Sequence, residues 1–153
     1  MAEEVFKEAL SEIIKGESGI KKVILVDKSG LTIAHVTKFS YYPVDVESIG
    51  AIASAVFGAS EEQGKNLQIG ELEIVTSEFT NGKIFAASCG AGILCVITDS
   101  NVNIGMVRFL MQKTANKLKK MLEDFLAAKP FPSSEEGSSP IKDVLKGFDE
   151  DKL

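Results

Sequence analysis

Residues 69–99, IGELEIVTSEFTNGKIFAASCGAGILCVITD, decide the fold. They contain three runs rich in branched and aromatic residues, 69–79, 83–89 and 93–99, separated by Asn81-Gly82 and by Gly90-Ala91-Gly92. Apolar runs bounded by turn residues read as strands. Asn-Gly is the preferred pair for a two-residue hairpin turn with positive φ at both central positions, so the first two runs are expected to pair across it. The second separator is ambiguous, because Cys89 and Cys95 flank a Gly-x-Gly, the material of a redox pair or of a phosphate loop. A dinucleotide fingerprint needs a strand, GxGxxG and then a helix; here a strand follows and the third glycine is missing. No GxxxxGK with a following Ser or Thr occurs anywhere. With Gly90-Ala91-Gly92 as a three-residue loop, Cys89 stands opposite Ile93 and Cys95 lies diagonally on the same face. Diagonal backbones are about 7–8 Å apart, at or beyond the reach of a disulfide. The stretch therefore reads as a three-stranded meander with two buried, reduced thiols.

Upstream, Val5, Phe6, Ala9, Leu10, Ile13 and Ile14 recur at helical spacing and stop before Gly16. KKVILVD (21–27), the turn Asp27-Lys28-Ser29-Gly30 and LTIAHVT (31–37) form a hairpin. After a loop carrying Phe39, Tyr41, Tyr42 and Pro43, Asp45 is placed to cap a helix with Val46, Ile49, Ile52, Ala53, Val56 and Phe57 as apolar positions, running to about Gly64 or Asn66. Downstream, Val107, Met111, Thr114, Leu118, Met121 and Phe125 alternate steps of four and three, which predicts a long helix over 103–127. The order is thus helix, two strands, helix, three strands, helix, one domain over 1–128. From 129 to 140 the composition turns to Pro, Ser and Glu, as in a linker. In 141–153, Ile141, Val144, Leu145 and Phe148 share one face of a short amphipathic helix, or the segment is a disordered tail.

A net charge of -5 argues against phosphate-backbone binding, which needs clustered Lys and Arg, so no nucleic-acid partner is expected. The acidic N-terminus does not resemble a secretion signal, and no apolar run approaches the roughly 20 residues of a membrane span. A cytoplasmic protein with free thiols and no integral membrane segment is expected.

Catalytic chemistry finds little material. His35 is the single histidine, so no His/Cys zinc set can be assembled, and a half-buried strand residue is expected there. No nucleophile elbow accompanies the available Ser and Asp residues. Glu71 and Glu73 alternate as on the solvent face of a strand. No catalytic residue, metal or cofactor is assigned. Lys113, Lys117 and Lys120 make a solvated helix stripe or a surface for an acidic membrane or partner. Arg108, the single arginine, is the one candidate for a finger donated to a nucleotide-hydrolysing partner, but its place in the first turns of a helix favours a shielded salt bridge or cap contact. More informative is the second helix, where Gly50, Ser54 and Gly58 recur at intervals of four beside Ala51, Ala55 and Ala59. One side is almost without bulk, so either the chain's own sheet or a second copy of the helix packs closely there.

The element order, with VILVDKSGLTIA, the small-residue second helix and GILCVITDSNVNIGMVRFLMQKTANKLKKML, resembles the roadblock family of dynein light-chain-like domains over roughly residues 3–127. The most family-like positions are Asp27, Gly30, Thr98, Asp99, Gly105, Val107 and Arg108. The resemblance implies an α+β fold, a three-layer α/β/α sandwich around a five-stranded antiparallel sheet, with the second helix on one face and the first and third on the other. It also implies a dimer, with itself or with a paralogous roadblock protein, in which second helices pack together and third strands extend the sheet. Gly50, Ala51, Ser54, Ala55, Gly58, Leu72, Ile74 and Val75 are then the expected interface. An exposed apolar edge strand supports this independently, since pairing removes an aggregation-prone edge. Members of the family act as non-enzymatic platforms for small Ras-like GTPases, as activating partners or scaffolds. Phe39, Tyr41 and Tyr42, with Glu61, Glu62 and Lys65 as polar rim, are the expected partner-binding residues. The alternatives are a small-ligand sensor of similar architecture or a passive assembly subunit.

Overall fold

The structure is a computed structural model that describes residues 2–38 and 45–128. Its elements are α1 (Ala2–Gly16), β1 (Ile20–Asp27), β2 (Thr32–Thr37), α2 (Val46–Leu67), β3 (Ile74–Phe79), β4 (Gly82–Ser88), β5 (Gly92–Thr98) and α3 (Ile104–Ala128). The expected order α-β-β-α-β-β-β-α is thus observed. The strands form one sheet in the order β2-β1-β5-β4-β3, and every neighbouring pair is antiparallel.

Two cores sit on the two faces of this sheet. On one, Phe6, Leu10 and Ile13 of α1 and Met111, Leu118 and Leu122 of α3 close over Val23, Leu25, Phe85, Leu94 and Val96. On the other, α2 packs on Ile24, Val26, Ile93 and Cys95 through Ala53 and Phe57. Alternation along β1 supplies both, since successive strand residues point to opposite faces. The expected three layers follow.

Helix ends obey local chemistry. The Asp45 carboxylate accepts from the Ser48 backbone N–H at 3.2 Å and caps α2. At the other end, Gln68 adopts the left-handed region (φ 55°) and its N–H returns to Gly64 and Lys65 carbonyls. Ile69 N–H also bonds to Gly64 O at 3.1 Å, and Gly70 follows at φ 99°. This closing turn overturns one expectation: residues 69–73 are outside the sheet and β3 begins only at Ile74. The Ile69 N–H, engaged in ending the helix, cannot also join a ladder, and the pairing with β4 begins only at Ile74 opposite Ala87.

Both turns of the meander differ from expectation by one residue. Phe79 pairs with Gly82, so Thr80 and Asn81 occupy the turn, and neither Asn81 nor Gly82 has a positive φ. Gly82 is the first residue of β4, where a Cβ would lie 2.6 Å from the Thr98 carbonyl oxygen. Likewise Ser88 pairs with Ile93, and Cys89 N–H donates to Gly92 O at 2.9 Å, leaving Gly90 (φ 78°) and Ala91 as a two-residue turn. A Cβ on Gly92 would meet the Val26 carbonyl oxygen at 2.8 Å. That single-residue change moves the cysteines to opposite faces: Cys89 lies in the α1/α3 core and Cys95 beneath α2. The expected diagonal pair on one face does not exist, because a one-residue slip flips every following side chain.

Both thiols are free and buried. Burial pushes each up to about 12; at Cys89, Lys28 and a hydrogen bond from the Gly92 backbone oppose it in part. The reactive thiolate is then roughly a thousandfold scarcer than in an ordinary thiol. Folded protein at pH 8 should resist alkylation on the timescale in which urea-unfolded protein takes up two labels, read by mass spectrometry. Rapid double labelling of the folded protein would contradict the placement.

The linker over 129–140 and the segment 141–153 lie outside the described residues, as does the loop bearing Phe39, Tyr41 and Tyr42.

Candidate functional site

The turn between β1 and β2 sets the position of α2. Asp27 Oδ1 accepts from Ser29 N–H at 2.9 Å, Ser29 Oγ at 2.6 Å and Leu31 N–H at 3.0 Å. Partial burial raises this carboxyl, but the hydrogen bonds from Ser29, Leu31 and Gly30 outweigh it and hold it below the usual carboxylate range. Gly30, at φ 94°, lies under α2, where an added Cβ would come within 3.1 Å of the Ala51 Cα. Ser54 Oγ donates to Lys28 O at 3.1 Å, and Gly50 is buried against Val26. The small residues of α2 therefore divide. Gly50 and Ser54 meet the chain's own hairpin, Ala51 borders it at Gly30 while still exposed, and Ala55, Gly58 and Ala59 are exposed on the outer side.

Beside this low outer side runs an apolar flank. Ile52 is 62% exposed, Val56 44% and Phe79 of β3 55%. With Ile49, Val75 and Ile84 they line a groove of about 190 Å³ between α2 and the sheet. The groove opens toward β3, whose outer edge has no strand partner among the described residues. Val75 packs with the α2-side core and Ile74 with the α1/α3-side core, so the two predicted edge residues face opposite ways. Leu72 is half-buried and precedes the strand.

Ile52, Val56 and Phe79 are what residue-level reading missed. Helical spacing marks Ile52 and Val56 only as apolar positions of the helix; they lie well round it from Gly50, Ala53 and Phe57, which face the sheet. An apolar arc wider than one sheet face can cover was the available signal.

A second, larger cleft of about 970 Å³ lies at the end of α2, lined by Gln63, Leu67, Ile69, Leu72, Glu73 and Arg108 among others. Arg108 is exposed, contrary to the shielded position expected from the sequence, and none of the described ion pairs includes it. Its neighbours on the buried side of α3, Val107 and Met111, occupy the core and turn it outward. Glu62 and Lys65 are exposed and Glu61 half-buried, all on the C-terminal half of α2. His35 is exposed rather than half-buried: it stands opposite Ile24 in the edge strand β2, on the face away from the core that buries its neighbour Ala34. Partial burial and the neighbouring Lys22 and Lys7 hold its imidazole below the usual value, with Glu3 opposing. Lys113, Lys117 and Lys120 are exposed, and Lys117 pairs with Glu12 of α1 at 3.2 Å, a surface contact of small energetic weight.

Glu71 and Glu73 are solvent-facing but outside the strand. Among the described residues no cluster of three or more His, Cys, Asp or Glu is placed to hold a metal ion. No described helix is long and apolar enough to cross a membrane. The most developed surface features are thus an apolar groove at an open sheet edge and a cleft of mixed polar and apolar lining beside it, the anatomy of an interaction surface.

Known proteins share this architecture. The Thermus thermophilus gliding protein MglB superposes with a TM-score of 0.74 at 16% identity, covering 80% of this chain and 92% of that one. Myxococcus xanthus MglB gives a TM-score of 0.68 at 23% identity, covering 78% and 98%. At the sequence level, the uncharacterized Methanocaldococcus jannaschii protein MJ0310 is 43% identical over 112 residues, 73% of this chain and 95% of the relative. MJ0714 of the same organism, also uncharacterized, is 38% identical over 123 residues, 79% of this chain and 99% of the relative. The Roadblock/LC7 domain matches residues 6–98, from the buried face of α1 to the last residue of β5, and the chain belongs to that family.

Proposed function

We propose that this protein is a non-catalytic dimeric platform that binds and regulates a small Ras-like GTPase, as an activating partner or a scaffold. The observation that carries the platform reading is the uncovered apolar surface made by Ile52, Val56 and Phe79 beside the open edge of β3. A second copy related by a two-fold axis would bring this surface against itself, cover the groove and give β3 a partner. Ala51, Ala55 and Gly58 would let the helices approach closely. The chain's roadblock membership supports the GTPase half, as that is the role family members play.

The GTPase would meet the paired second helices and the loop before them, with Phe39, Tyr41 and Tyr42 as aromatic contacts and Glu61, Glu62 and Lys65 as rim. Stimulation of hydrolysis has two physical routes: reordering of the partner's switch loops, or donation of Arg108, which solvent reaches. The test is capture of small GTPases from the source cell on the full chain, followed by GTP turnover with the wild type and with Arg108→Ala. Normal capture with lost stimulation in the variant assigns the arginine as a finger, and unchanged stimulation assigns the effect to switch reordering. Failure to capture any small GTPase in either nucleotide state would overturn the proposal.

A further inference from the structure

A second apolar groove lies on the opposite face of the sheet from α2, at the end of the molecule where the described chain stops. It is lined by Val5 and Phe6 of α1 and by Met121, Asp124 and Phe125 of α3, and encloses about 310 Å³. Phe6 and Phe125 form its floor, ring against ring edge at 5.7 Å and 84°. Val5 is 52% exposed on its rim, and Leu126, 38% exposed, stands just past Phe125. The groove is separate from the surface assigned to the dimer and the GTPase.

Phe125 is one turn before the end of α3 at Ala128, after which the sequence runs on to residue 153. Within that continuation Ile141, Val144, Leu145 and Phe148 recur at helical spacing, behind the cap and first-turn pair Ser139-Pro140. Such a stripe needs an apolar surface, because a helix this short is not stable alone in water. Residues 129–139 can span at most about 36 Å when extended, ample to return Ile141 to a groove lined by the last turns of α3 itself.

We infer that residues 140–148 dock as a short amphipathic helix into the groove between the start of α1 and the end of α3 of the same chain. This inference does not depend on the GTPase reading. It assigns to the tail a seat on the face opposite α2, so that α1 and α3 are covered at this end while the α2 and β3 surface stays free. Release of the tail would expose both the groove and the 141–148 stripe.

The experiment uses the full chain with Lys146→Cys carrying a nitroxide, the buried native thiols being left in place. The methyl signals of Val5 and Met121 are expected to be lost while those of Ile52 and Val56 survive, and Val5→Asp, a change at an exposed position, is expected to restore Met121. Val5 and Met121 signals no weaker than those of Ile52 and Val56 would overturn the docking. So would undiminished loss at Met121 in Val5→Asp. In a mixture of isotope-labelled chain without nitroxide and unlabelled chain with it, the Val5 signal should survive; its loss there would place a partner's tail in the groove and overturn docking within one chain.

Discussion

Ile52→Asp should convert the proposed dimer to monomer without unfolding the chain. Ile52 is 62% exposed in a single copy, so the substitution disturbs no internal contact of consequence. In a two-fold interface the same side chain is lost twice. Burial of an isoleucine side chain stabilises by about 1.5–3 kcal/mol, so two of them, with two carboxylates stranded against apolar surface, cost roughly 4 kcal/mol or more. That weakens association by about a thousandfold. Sedimentation across a dilution series is the measurement, with circular dichroism as the check on folding. A mass distribution identical to wild type at every concentration would remove Ile52 from the interface, and a wild type that is monomeric throughout would remove the dimer.

Phe57→Ala is expected to have the largest effect on stability. Phe57 is fully buried and is the one large side chain that α2 inserts wholly into the core, Ala53 being its only buried hydrophobic companion from that helix. By contrast α1 and α3 share many buried contacts with the other face. Truncating a buried phenylalanine costs about 3–5 kcal/mol, which in a domain of this size lowers the melting temperature by about 10 °C or more. The exposed Leu67→Ala should change stability by no more than about 0.5 kcal/mol. Because α2 presents Ile52 and Val56 outward, loosening its inner contact should weaken the proposed dimerisation as well. Thermal denaturation of both variants checks this, and equal small shifts would show that α2 is held by something other than Phe57.

These two residues also mark how far the sequence is legible. Period and punctuation disclose every element of the described fold, because helical and strand periodicities differ and Asp45, Gly16 and the Asp27–Gly30 turn are local signals. They do not disclose which glycine makes a turn. Gly82 and Gly92 both stand next to turns and were read as turn residues, yet each is a strand residue beside a neighbouring carbonyl, Thr98 O and Val26 O respectively. Glycine serves a bend and a close approach equally well, and only the tertiary neighbour separates the two uses. The difference is one residue in each turn, and the one at Gly90-Ala91 is enough to put Cys89 and Cys95 on opposite faces instead of the same one.

The candidate surface was legible in outline only. Small residues on α2 announced a close approach, but the approach is split between the Lys28–Gly30 turn, met by Gly50 and Ser54, and solvent, met by Ala55 and Gly58. Ile52 and Val56 carry the apolar flank, and helical spacing alone assigns them to the core as readily as to an interface. The closing turn at Gln68–Gly70 was illegible for another reason: Gln at a left-handed position is not a helix-stop signal in the way glycine is.

The proposed dimer is expected to distinguish the nucleotide state of a small GTPase. The direct measurement is the affinity of the full-length wild-type chain for its captured GTPase loaded with a non-hydrolysable GTP analogue and with GDP, by calorimetry at one salt concentration. Switch loops ordered by the γ-phosphate present a different surface from those released after hydrolysis, so the GTP form should bind at least about tenfold more tightly. Equal affinities for the two forms would contradict the claim.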